Sequence, residues 1–393
     1  MKRIYLDFAA TTPTDKRVVD AMAPYFSETF GNASSVHGYG REAKAALENS
    51  RAKLASVIGA RESELFFMSG GTESDNSALF GIASRFSTSD KKNLVISSIE
   101  HHAVFHAAES LRKNGFDVNT LPVDSKGFVS PDELKRAITD KTFLVSIIHV
   151  NNEIGTIQNL AELIKVAHDR GVLFHSDAVQ SFCRTKFNVR ELNLDLASFT
   201  AHKVYGPKGI GALYIKRGID FEPLLHGGSQ ERNRRPGTES VPLAVGFAKA
   251  AELCTEEFDS ERARLTKLNS ILREKIPVGV PGVIFNSPEE DSVPNILSIS
   301  IDGREVEIDG EALIVNMDLE GIAVTSGSAC SSGSLQPSHV IKALGRDDRT
   351  TMATVRFSFG RFTTEEEILI AADTFAKIVA RIGKRRKLSS AVS

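Results

Sequence analysis

Short apolar runs alternate with helical patterns between residues 60 and 215 of the 393-residue chain. The runs hold four to six residues without period-2 alternation, which is typical of strands buried on both faces. The intervals between them leave room for crossover helices, so the rhythm predicts a parallel sheet with helices on both sides. The predicted strands are Leu65–Met68, Leu94–Ser97, Phe143–Ile148, Val172–His175 and Leu196–Phe199.

The run Ile210–Ile215 departs from this rhythm. Between the strand that ends at Phe199 and this run, the sequence offers only a short link that contains glycine and proline, residues 206–209. Such a link is too short for a helical crossover. We therefore expect this strand to pair antiparallel with its neighbour or to lie at an edge of the sheet.

The pattern changes after residue 240 and predicts a second unit. A helical pattern begins at Val241 and continues through Glu274, and Pro277 marks its end. Two further strand-like segments, near residues 295–301 and 353–358, precede a closing helix from Thr364. The N-terminal dozen residues are too few for their own core. We predict an α/β chain with a large domain over residues 15–257 and a small domain formed by residues 1–14 and 258–393.

Composition and charge exclude several classes of protein. Hydrophobic residues make up 41% and charged residues 25%, which is ordinary globular usage. The formal net charge of -2 offers no positive excess for nucleic acid or an anionic membrane. Asp7 interrupts the first apolar run, and no stretch of about 18 apolar residues suits a membrane span. We expect a cytoplasmic protein.

The three cysteines, Cys183, Cys254 and Cys330, are too few for a disulfide framework, and no pair has Cys-x-x-Cys spacing. We therefore expect no resident metal. Cys330 differs from the other two because glycine, serine and alanine surround it. A thiol on such a loop can move and react where positive charge favours the thiolate. The alternative interpretation is an ordinary loop cysteine.

Four further segments place polar groups where predicted strands end. Gly71 and Thr72 follow a strand and open a helix, where free N–H groups favour a phosphate, although a plain turn with a helix cap fits too. Asp177 ends another strand, where a buried carboxylate needs a partner or caps a helix. Lys203 follows a buried strand, and desolvation there would let it form a Schiff base, although most isolated lysines are surface residues.

His101 stands after a fourth strand, where an imidazole can stack on a flat ring or move protons. The alternative interpretation is a polar residue in a turn. A metal site made from His101, His102 and His106 is a rival, which the absence of another ligand cluster with supporting spacing disfavours. Together with Arg356 in a later apolar strand, these segments meet the requirements of pyridoxal phosphate and an amino-acid substrate.

The sequence resembles the cysteine desulfurases of the NifS/IscS type, within the aspartate-aminotransferase-like pyridoxal phosphate enzymes. The resemblance covers nearly the whole chain and is specific because many segments match at once. It implies the type I fold of these enzymes, with a mostly parallel seven-stranded sheet flanked by helices and a smaller α/β domain that carries the cysteine loop at about residues 325–336. Matching segments are 5–13, 31–37, 69–74, 151–156, 228–232 and 356–361, with the stretches around Lys203 and Cys330.

The resemblance implies how the cofactor, pyridoxal 5'-phosphate, is held. Lys203 would carry it covalently, Asp177 would pair with the pyridine nitrogen and Gln180 with the ring hydroxyl. His101 would stack on the ring and transfer protons. The phosphate would be held by Gly71, Thr72, Thr200 and His202, and Thr238 would reach the phosphate of the other subunit, which implies a homodimer.

The resemblance also implies the reaction. Asn152 and Arg356 would bind the amino-acid end of L-cysteine, Lys203 would remove the Cα proton, and Cys330 would accept the sulfur as a persulfide while L-alanine forms. The implied partners are L-cysteine and an iron–sulfur scaffold or another sulfur-acceptor protein, with no nucleic acid and no membrane. Any contact of Cys330 with a cluster would be transient.

Rival functions belong to different classes. A selenocysteine lyase or a small-amino-acid aminotransferase of the same fold would leave the thiol on its glycine- and serine-rich loop unexplained. A scaffold protein that has lost its chemistry would not need Lys203, Asp177, His101 and Cys330 together. A dehydrogenase is disfavoured because no Gly-x-Gly-x-x-Gly stands between a strand and a helix.

Overall fold

The computed structural model describes residues 3–327 and 336–385. Within them the strands are β1 (Ile4–Tyr5), β2 (Leu65–Met68), β3 (Asn93–Ser97), β4 (Asp117–Leu121), β5 (Thr142–Ser146), β6 (Leu173–Asp177), β7 (Leu196–Thr200), β8 (Gly211–Ile215), β9 (Val283–Phe285), β10 (Ile296–Ile301), β11 (Val306–Glu307), β12 (Ile322–Ala323), β13 (Thr354–Ser358) and β14 (Lys384–Arg385).

The helices of the same residues are α1 (Lys16–Met22), α2 (Pro24–Ser27), α3 (Gly38–Val57), α4 (Gly71–Ala83), α5 (His102–Lys113), α6 (Pro131–Ala137), α7 (Leu160–His168), the turn-like α8 (Gln230–Asn233), α9 (Val241–Glu256), α10 (Phe258–Gly279), α11 (Gly310–Leu319), α12 (His339–Ala343), α13 (Asp348–Met352) and α14 (Glu365–Ile382). No helix among the described residues has the length and apolar character needed to cross a membrane.

The main sheet has seven strands in the order β2-β8-β7-β6-β5-β3-β4. All pairs are parallel except the two that β8 makes with β2 and β7. The prediction of a mostly parallel seven-stranded sheet is confirmed. Strand β8 pairs antiparallel, which is the first of the two arrangements expected from the short link. It does not lie at an edge, because β2 and β7 flank it and it is buried along its whole length.

Two elements differ from the sequence pattern. Strand β4 at the edge of the sheet was not predicted, because its residues are mostly polar and exposed. The single helix expected from Val241 through Glu274 is two helices, which separate at Glu257, a residue that carries no helix-breaking signal. Pro277 was expected to mark the end of the helix, but it lies inside the last turn of α10, which ends at Gly279. The helix tolerates the proline there because the N–H that proline lacks would have made only one hydrogen bond.

Separate hydrophobic cores form on the two faces of the main sheet and in the C-terminal part of the chain. One face packs against α3, α7 and α9, and the other against α4 and α5. The third core joins β10 and β13 to α10 and α14, and Ile4 and Leu6 pack into it. Because of this separation we retain, as a proposal, the division into residues 15–257 and residues 1–14 with 258–393.

Candidate active site

A cleft of about 340 Å³ lies where strands of the main sheet end. The ends of β6 and β7, the start of α4 and the segment after β3 all open into it, as expected for ligand sites in open α/β sheets. Ten of the predicted site residues line this cleft, namely Gly71, Thr72, His101, Asn152, Asp177, Gln180, Thr200, His202, Lys203 and Arg356. The structure therefore brings together residues that are up to 285 positions apart, from Gly71 to Arg356.

Lys203 ends the single 3₁₀ turn that follows β7. Its Nζ donates hydrogen bonds to the carbonyl oxygens of Ala9 and Ala10, at 2.6 and 2.7 Å. Burial, helped by the nearby charge of Arg356, lowers the pKa of Lys203 to about 7. A large share of this amine is neutral at physiological pH, so it can condense with an aldehyde or accept a proton.

Asp177 ends β6, where its Oδ1 accepts a hydrogen bond of 2.9 Å from the N–H of Val179. Burial raises the pKa of Asp177, and the carboxyl of Asp75 lies within 4.8 Å of it. The pKa of Asp75 is also raised, first by burial and then by Asp177, and its Oδ1 has no hydrogen-bond partner among the described residues. Two adjacent buried carboxyls favour a cationic partner in the cleft.

His101 is the N-cap residue of α5, and its Nδ1 accepts a hydrogen bond of 3.1 Å from the N–H of Ala103. Burial, with a contribution from the charge of Lys203, lowers the pKa of His101 to about 4. The ring is therefore neutral at pH 7, and its Nδ1 is committed to the helix. A neutral ring in this position can stack on a flat ligand and accept a proton at Nε2.

The start of α4 forms the anion-binding end of the cleft. The first helical hydrogen bond runs from the N–H of Ser74 to the carbonyl of Gly70, at 3.1 Å, so the amides before it are available to a ligand. A Cβ on Gly71 would lie 2.8 Å from Val179 Cγ2, which explains the glycine. The side chain of Thr200 lies beside this turn, within contact distance of a Cβ built on Gly71.

Pyridoxal phosphate fits these residues. The free amides at the start of α4 suit its phosphate, and the buried carboxylate of Asp177 suits a protonated pyridine nitrogen. Gln180 donates through Nε2 to the carbonyl of Ala9, at 2.9 Å, while its buried Oε1 has no partner within the described part of the chain. That oxygen can accept a hydrogen bond from a ring hydroxyl, and Lys203 supplies an amine for the aldehyde.

Arg356 provides a cation at the other end of the cleft. Its Nη1 donates to the carbonyl of Asn152 at 2.7 Å, and its Nη2 donates to Asp7 Oδ1 at 2.8 Å. The Nε of Arg356 is buried and has no hydrogen-bond partner among the residues described. This pairing orients the guanidinium toward the lining of the cleft, where a substrate carboxylate is a suitable ligand.

Thr238 lies outside the cleft. It is exposed and borders a separate cavity with Ser69 and Gly237. An ion pair of 3.0 Å between Arg235 Nε and Glu73 joins its segment to the first turn of α4. Thr238 therefore lies near the anion-binding turn but not among the residues that line the cleft.

Cys330 lies outside the described residues. The chain that precedes it reaches the cleft through Thr325 and Gly327. Glu153 contacts both flanking segments, since Ser338 Oγ donates to its Oε2 at 2.6 Å and a Cβ on Gly327 would lie 2.8 Å from the same oxygen. Burial raises the pKa of Glu153 to about 7.

Sequence reasoning missed two parts of the cleft. Asp75 lies in the first turns of α4, where an acidic residue usually faces solvent, and its burial between β6 and the helix has no local signal. The carbonyls of Ala9 and Ala10 also line the cleft, and backbone groups cannot be recognised from residue type. The resemblance of segment 5–13 to known desulfurases was the only feature of the sequence that could have indicated these two carbonyls.

The class-V aminotransferase family model matches residues 4–370, so the chain belongs to that family, whose members depend on pyridoxal phosphate. The chain is 45% identical over 383 residues to the cysteine desulfurase IscS of Dictyoglomus turgidum, covering 97% of this chain and 96% of the relative. A solved NifS-like protein has a TM-score of 0.90 and 37% identity, covering 97% of this chain and 100% of its own. A structure described as SspA in complex with cysteine has a TM-score of 0.81 and 34% identity, with 92% and 100% covered.

These relatives confirm the resemblance to the cysteine desulfurases of the NifS/IscS type. They also confirm the predicted cofactor, because that class of enzyme requires pyridoxal phosphate. The roles of the individual site residues stay predictions.

Proposed function

We propose that this protein is a pyridoxal phosphate-dependent cysteine desulfurase that converts L-cysteine to L-alanine and transfers the sulfur to Cys330 as a persulfide. One observation carries the proposal. The cleft holds a desolvated amine, Lys203, with a pKa of about 7, together with the buried carboxylate of Asp177 and the neutral ring of His101. The cysteine named in the description of the similar SspA structure supports the choice of substrate.

Each residue has a distinct role in this proposal. Pyridoxal phosphate, when bound, takes up the electron pair released as a bond to the substrate Cα breaks. Asp177 holds the proton on the pyridine nitrogen, and Gln180 holds the ring hydroxyl through its free Oε1. Lys203 binds the cofactor and then moves the Cα proton, which its lowered pKa favours near pH 7.

The opposite end of the cleft orients the amino acid. Arg356, already fixed by Asp7 and the carbonyl of Asn152, binds the substrate carboxylate through its remaining donors. His101 donates or accepts a proton at Nε2 while its Nδ1 stays bound to the α5 backbone. In this proposal the substrate thiol lies on the side of the cleft lined by Thr325 and Gly327, in the segment that precedes Cys330.

The sulfur step balances without an added oxidant. The Cys330 thiolate attacks the substrate sulfur, an S–S bond forms and the substrate C–S bond breaks. The electron pair of that bond stays with the carbon skeleton, which gains protons and leaves as L-alanine. A persulfide remains on Cys330, and an acceptor thiol or scaffold protein then removes the outer sulfur.

The test is product analysis of the purified holoenzyme with L-cysteine. We expect equal amounts of alanine and sulfane sulfur, and the loss of sulfur transfer in Cys330→Ser. A Cys183→Ser variant is the matched control and should retain transfer. Pyruvate, or a keto acid formed only when an amino acceptor is added, would contradict the proposal and indicate a lyase or an aminotransferase. Selenocysteine accepted to the exclusion of cysteine would indicate a selenocysteine lyase.

We further propose that the enzyme is a homodimer in which Thr238 reaches the phosphate of the partner's cofactor. Its position outside the cleft supports this, as does a group of exposed aromatic side chains, including Phe26 and Phe30, each 64% exposed. Sedimentation should give twice the mass of 42.7 kDa, and Phe30→Asp should weaken the assembly. A monomeric and fully active wild-type protein would contradict the dimer.

The sulfur acceptor and the compartment complete the proposal. We propose an iron–sulfur scaffold or another thio-cofactor protein as the acceptor and the cytoplasm as the site of action. Free thiols at Cys183 and Cys254 suit a reducing compartment. Transfer of labelled sulfur from the persulfide to a candidate scaffold, compared with the Cys330→Ser variant, measures acceptor use directly.

A further inference from the structure

Three histidines lie together beside the cleft and have no role in the proposed function. His102 and His106 lie one turn apart on α5, with ring planes 10° apart and centroids separated by 5.2 Å. His339, the first residue of α12, places its ring 4.9 Å from that of His102. We refer to His102, His106 and His339 as the three-histidine cluster. The neighbouring His101 faces the cleft and does not belong to it.

Hydrogen bonds determine which nitrogen of each ring is available. His339 Nε2 donates to the carbonyl of Glu100 at 2.9 Å, which leaves the Nδ1 lone pair free. His106 Nδ1 lies 3.0 Å from a carboxylate oxygen of Glu109, which leaves Nε2 free. Carbonyl and carboxylate partners on the far nitrogen orient histidines that bind metals. The buried Nδ1 of His102 has no hydrogen-bond partner among the described residues.

Two of the three rings, those of His102 and His339, are partly buried. Burial, followed by the proximity of His339 and His106, lowers the pKa of His102. Burial also lowers the pKa of His339, with a further contribution from His106. A divalent metal ion binds an imidazole through a lone pair, and the hydrogen bonds of His106 and His339 leave one ring nitrogen of each available.

We propose that the three-histidine cluster binds a divalent transition-metal ion, with His102 and His106 as a chelating pair and His339 as the third ligand. Imidazole nitrogens suit zinc, copper and nickel. The three rings are adjacent, but their nitrogens do not all lie within 4.8 Å of one another. The side chain of His106 is 67% exposed, so it can rotate toward the ion without repacking the core.

The rival site read from the sequence used His101 as its third ligand, whereas the fold turns His101 to the cleft and brings His339 of α12 to His102 instead. A bound ion would therefore join the first turns of α5 and α12. It would lie next to His101, whose ring centroid is 6.3 Å from that of His102. Metal binding is thus expected to stabilise this part of the fold and to be measurable without any turnover.

The experiment is a Zn²⁺ titration of the holoenzyme against a chromogenic chelator in a Cys330→Ser background, which removes the loop thiol as a competing ligand. Saturation with cofactor occupies the neighbouring cleft, where Asp75, His101 and Asp177 lie close together. We expect one Zn²⁺ per chain. His106→Ala and His339→Ala should each weaken binding by about tenfold or more.

His226→Ala, which removes an exposed histidine elsewhere, is the matched control and should leave Zn²⁺ affinity unchanged. Zn²⁺ should also raise the melting temperature of the parent protein and not that of the His106→Ala/His339→Ala double variant. Circular dichroism checks that the double variant is folded. Absence of Zn²⁺ binding to the parent, or unchanged affinity in a folded double variant, would overturn the proposal.

Discussion

Two cavities of the molecule enclose a nucleophilic side chain, and they lie on either side of the same short segment after β7. Lys203 lines the active-site cleft of about 340 Å³. The next two residues, Val204 and Tyr205, line a cavity of about 40 Å³ together with Cys183 and Cys254. Only the first of the two has the character of a reactive site.

The same physical effect acts on both cavities with opposite chemical results. Burial disfavours the charged form of any group, so it lowers the pKa of Lys203 to about 7 and raises the pKa of Cys254 to about 11. The neutral form of an amine is its nucleophilic form, whereas the neutral form of a thiol is its unreactive form. Burial therefore activates Lys203 and passivates Cys254.

Burial therefore increases the reactivity of a nucleophile whose charged form is a cation and decreases that of a nucleophile whose charged form is an anion. The comparison also shows why the sulfur acceptor cannot be either enclosed cysteine. The pKa of Cys183 is raised as well, first by burial and then by Cys254. The thiol proposed to carry sulfur, Cys330, belongs to a different segment. Four changes test this comparison, in order of expected effect on activity.

Lys203→Ala should have the largest effect. It removes both the cofactor attachment and the group that moves the Cα proton, so alanine formation from L-cysteine should fall by about a thousandfold or more. Lys186→Ala, at an exposed lysine, is the control and should retain activity. Substantial turnover by the Lys203 variant would show that the desolvated amine is not the reactive group.

Asp177→Asn should have the next largest effect. An amide cannot hold the proton on the pyridine nitrogen, so kcat should fall by about a hundredfold, and the absorption spectrum of the bound cofactor should change its pH dependence. The spectrum separates this cause from misfolding. An unchanged spectral titration would mean that Asp177 does not contact the ring.

Glu153→Gln should change the pH dependence of stability more than it changes turnover. Burial raises the pKa of Glu153 from 4.5 to about 7, so between these values the folded protein retains a proton that the unfolded chain releases. The stabilising contribution of Glu153 is therefore present below pH 4.5 and is lost as the pH rises through 7. Glutamine cannot ionise and still accepts the hydrogen bond of Ser338.

The difference in free energy of unfolding between Glu153→Gln and the wild type should therefore increase in favour of the variant as the pH rises from 4.5 to 7. At about 1.4 kcal/mol per pKa unit, the increase should reach about 3 kcal/mol. Urea denaturation across this range measures the difference. Glu274→Gln, at an exposed glutamate, should show no such trend. A difference that does not vary with pH would mean that Glu153 is ionised throughout.

Cys254→Ser should have the smallest effect, with activity within about twofold of the wild type because the thiol is neutral and outside the cleft. In a Cys330→Ser background, iodoacetamide at pH 8 should modify Cys254 about a hundredfold more slowly in the folded protein than in urea. Mass spectrometry measures both rates. Rapid modification of folded protein would contradict the argument from burial.

The sequence predicted most of the cleft because its residues stand where buried strands end. Gly71, Asp177 and Lys203 each follow an apolar run, and the fold brings those ends to one edge of the sheet. Asp75 could not be predicted, since its burial depends on how α4 packs against β6 and β7. Strand β4 was missed for the converse reason, because an exposed edge strand has no apolar pattern.

The third ligand of the three-histidine cluster illustrates the same limit. The sequence shows His101, His102 and His106 as a rival metal site, which was disfavoured because no other ligand cluster with supporting spacing accompanies them. His339 lies far along the chain and meets them only through tertiary packing. Local patterns thus predict elements and their ends, whereas contacts between distant segments need the structure.

The N-terminal strand has a consequence for the order of events during synthesis. Ile4 pairs with Ile322, and the carbonyls of Ala9 and Ala10 accept the hydrogen bonds of Lys203. Residues 4–10 therefore reach their partners only after the chain as far as residue 322 has been translated, roughly half a minute later at ordinary elongation rates. A nascent or truncated chain thus lacks the completed wall of the cleft.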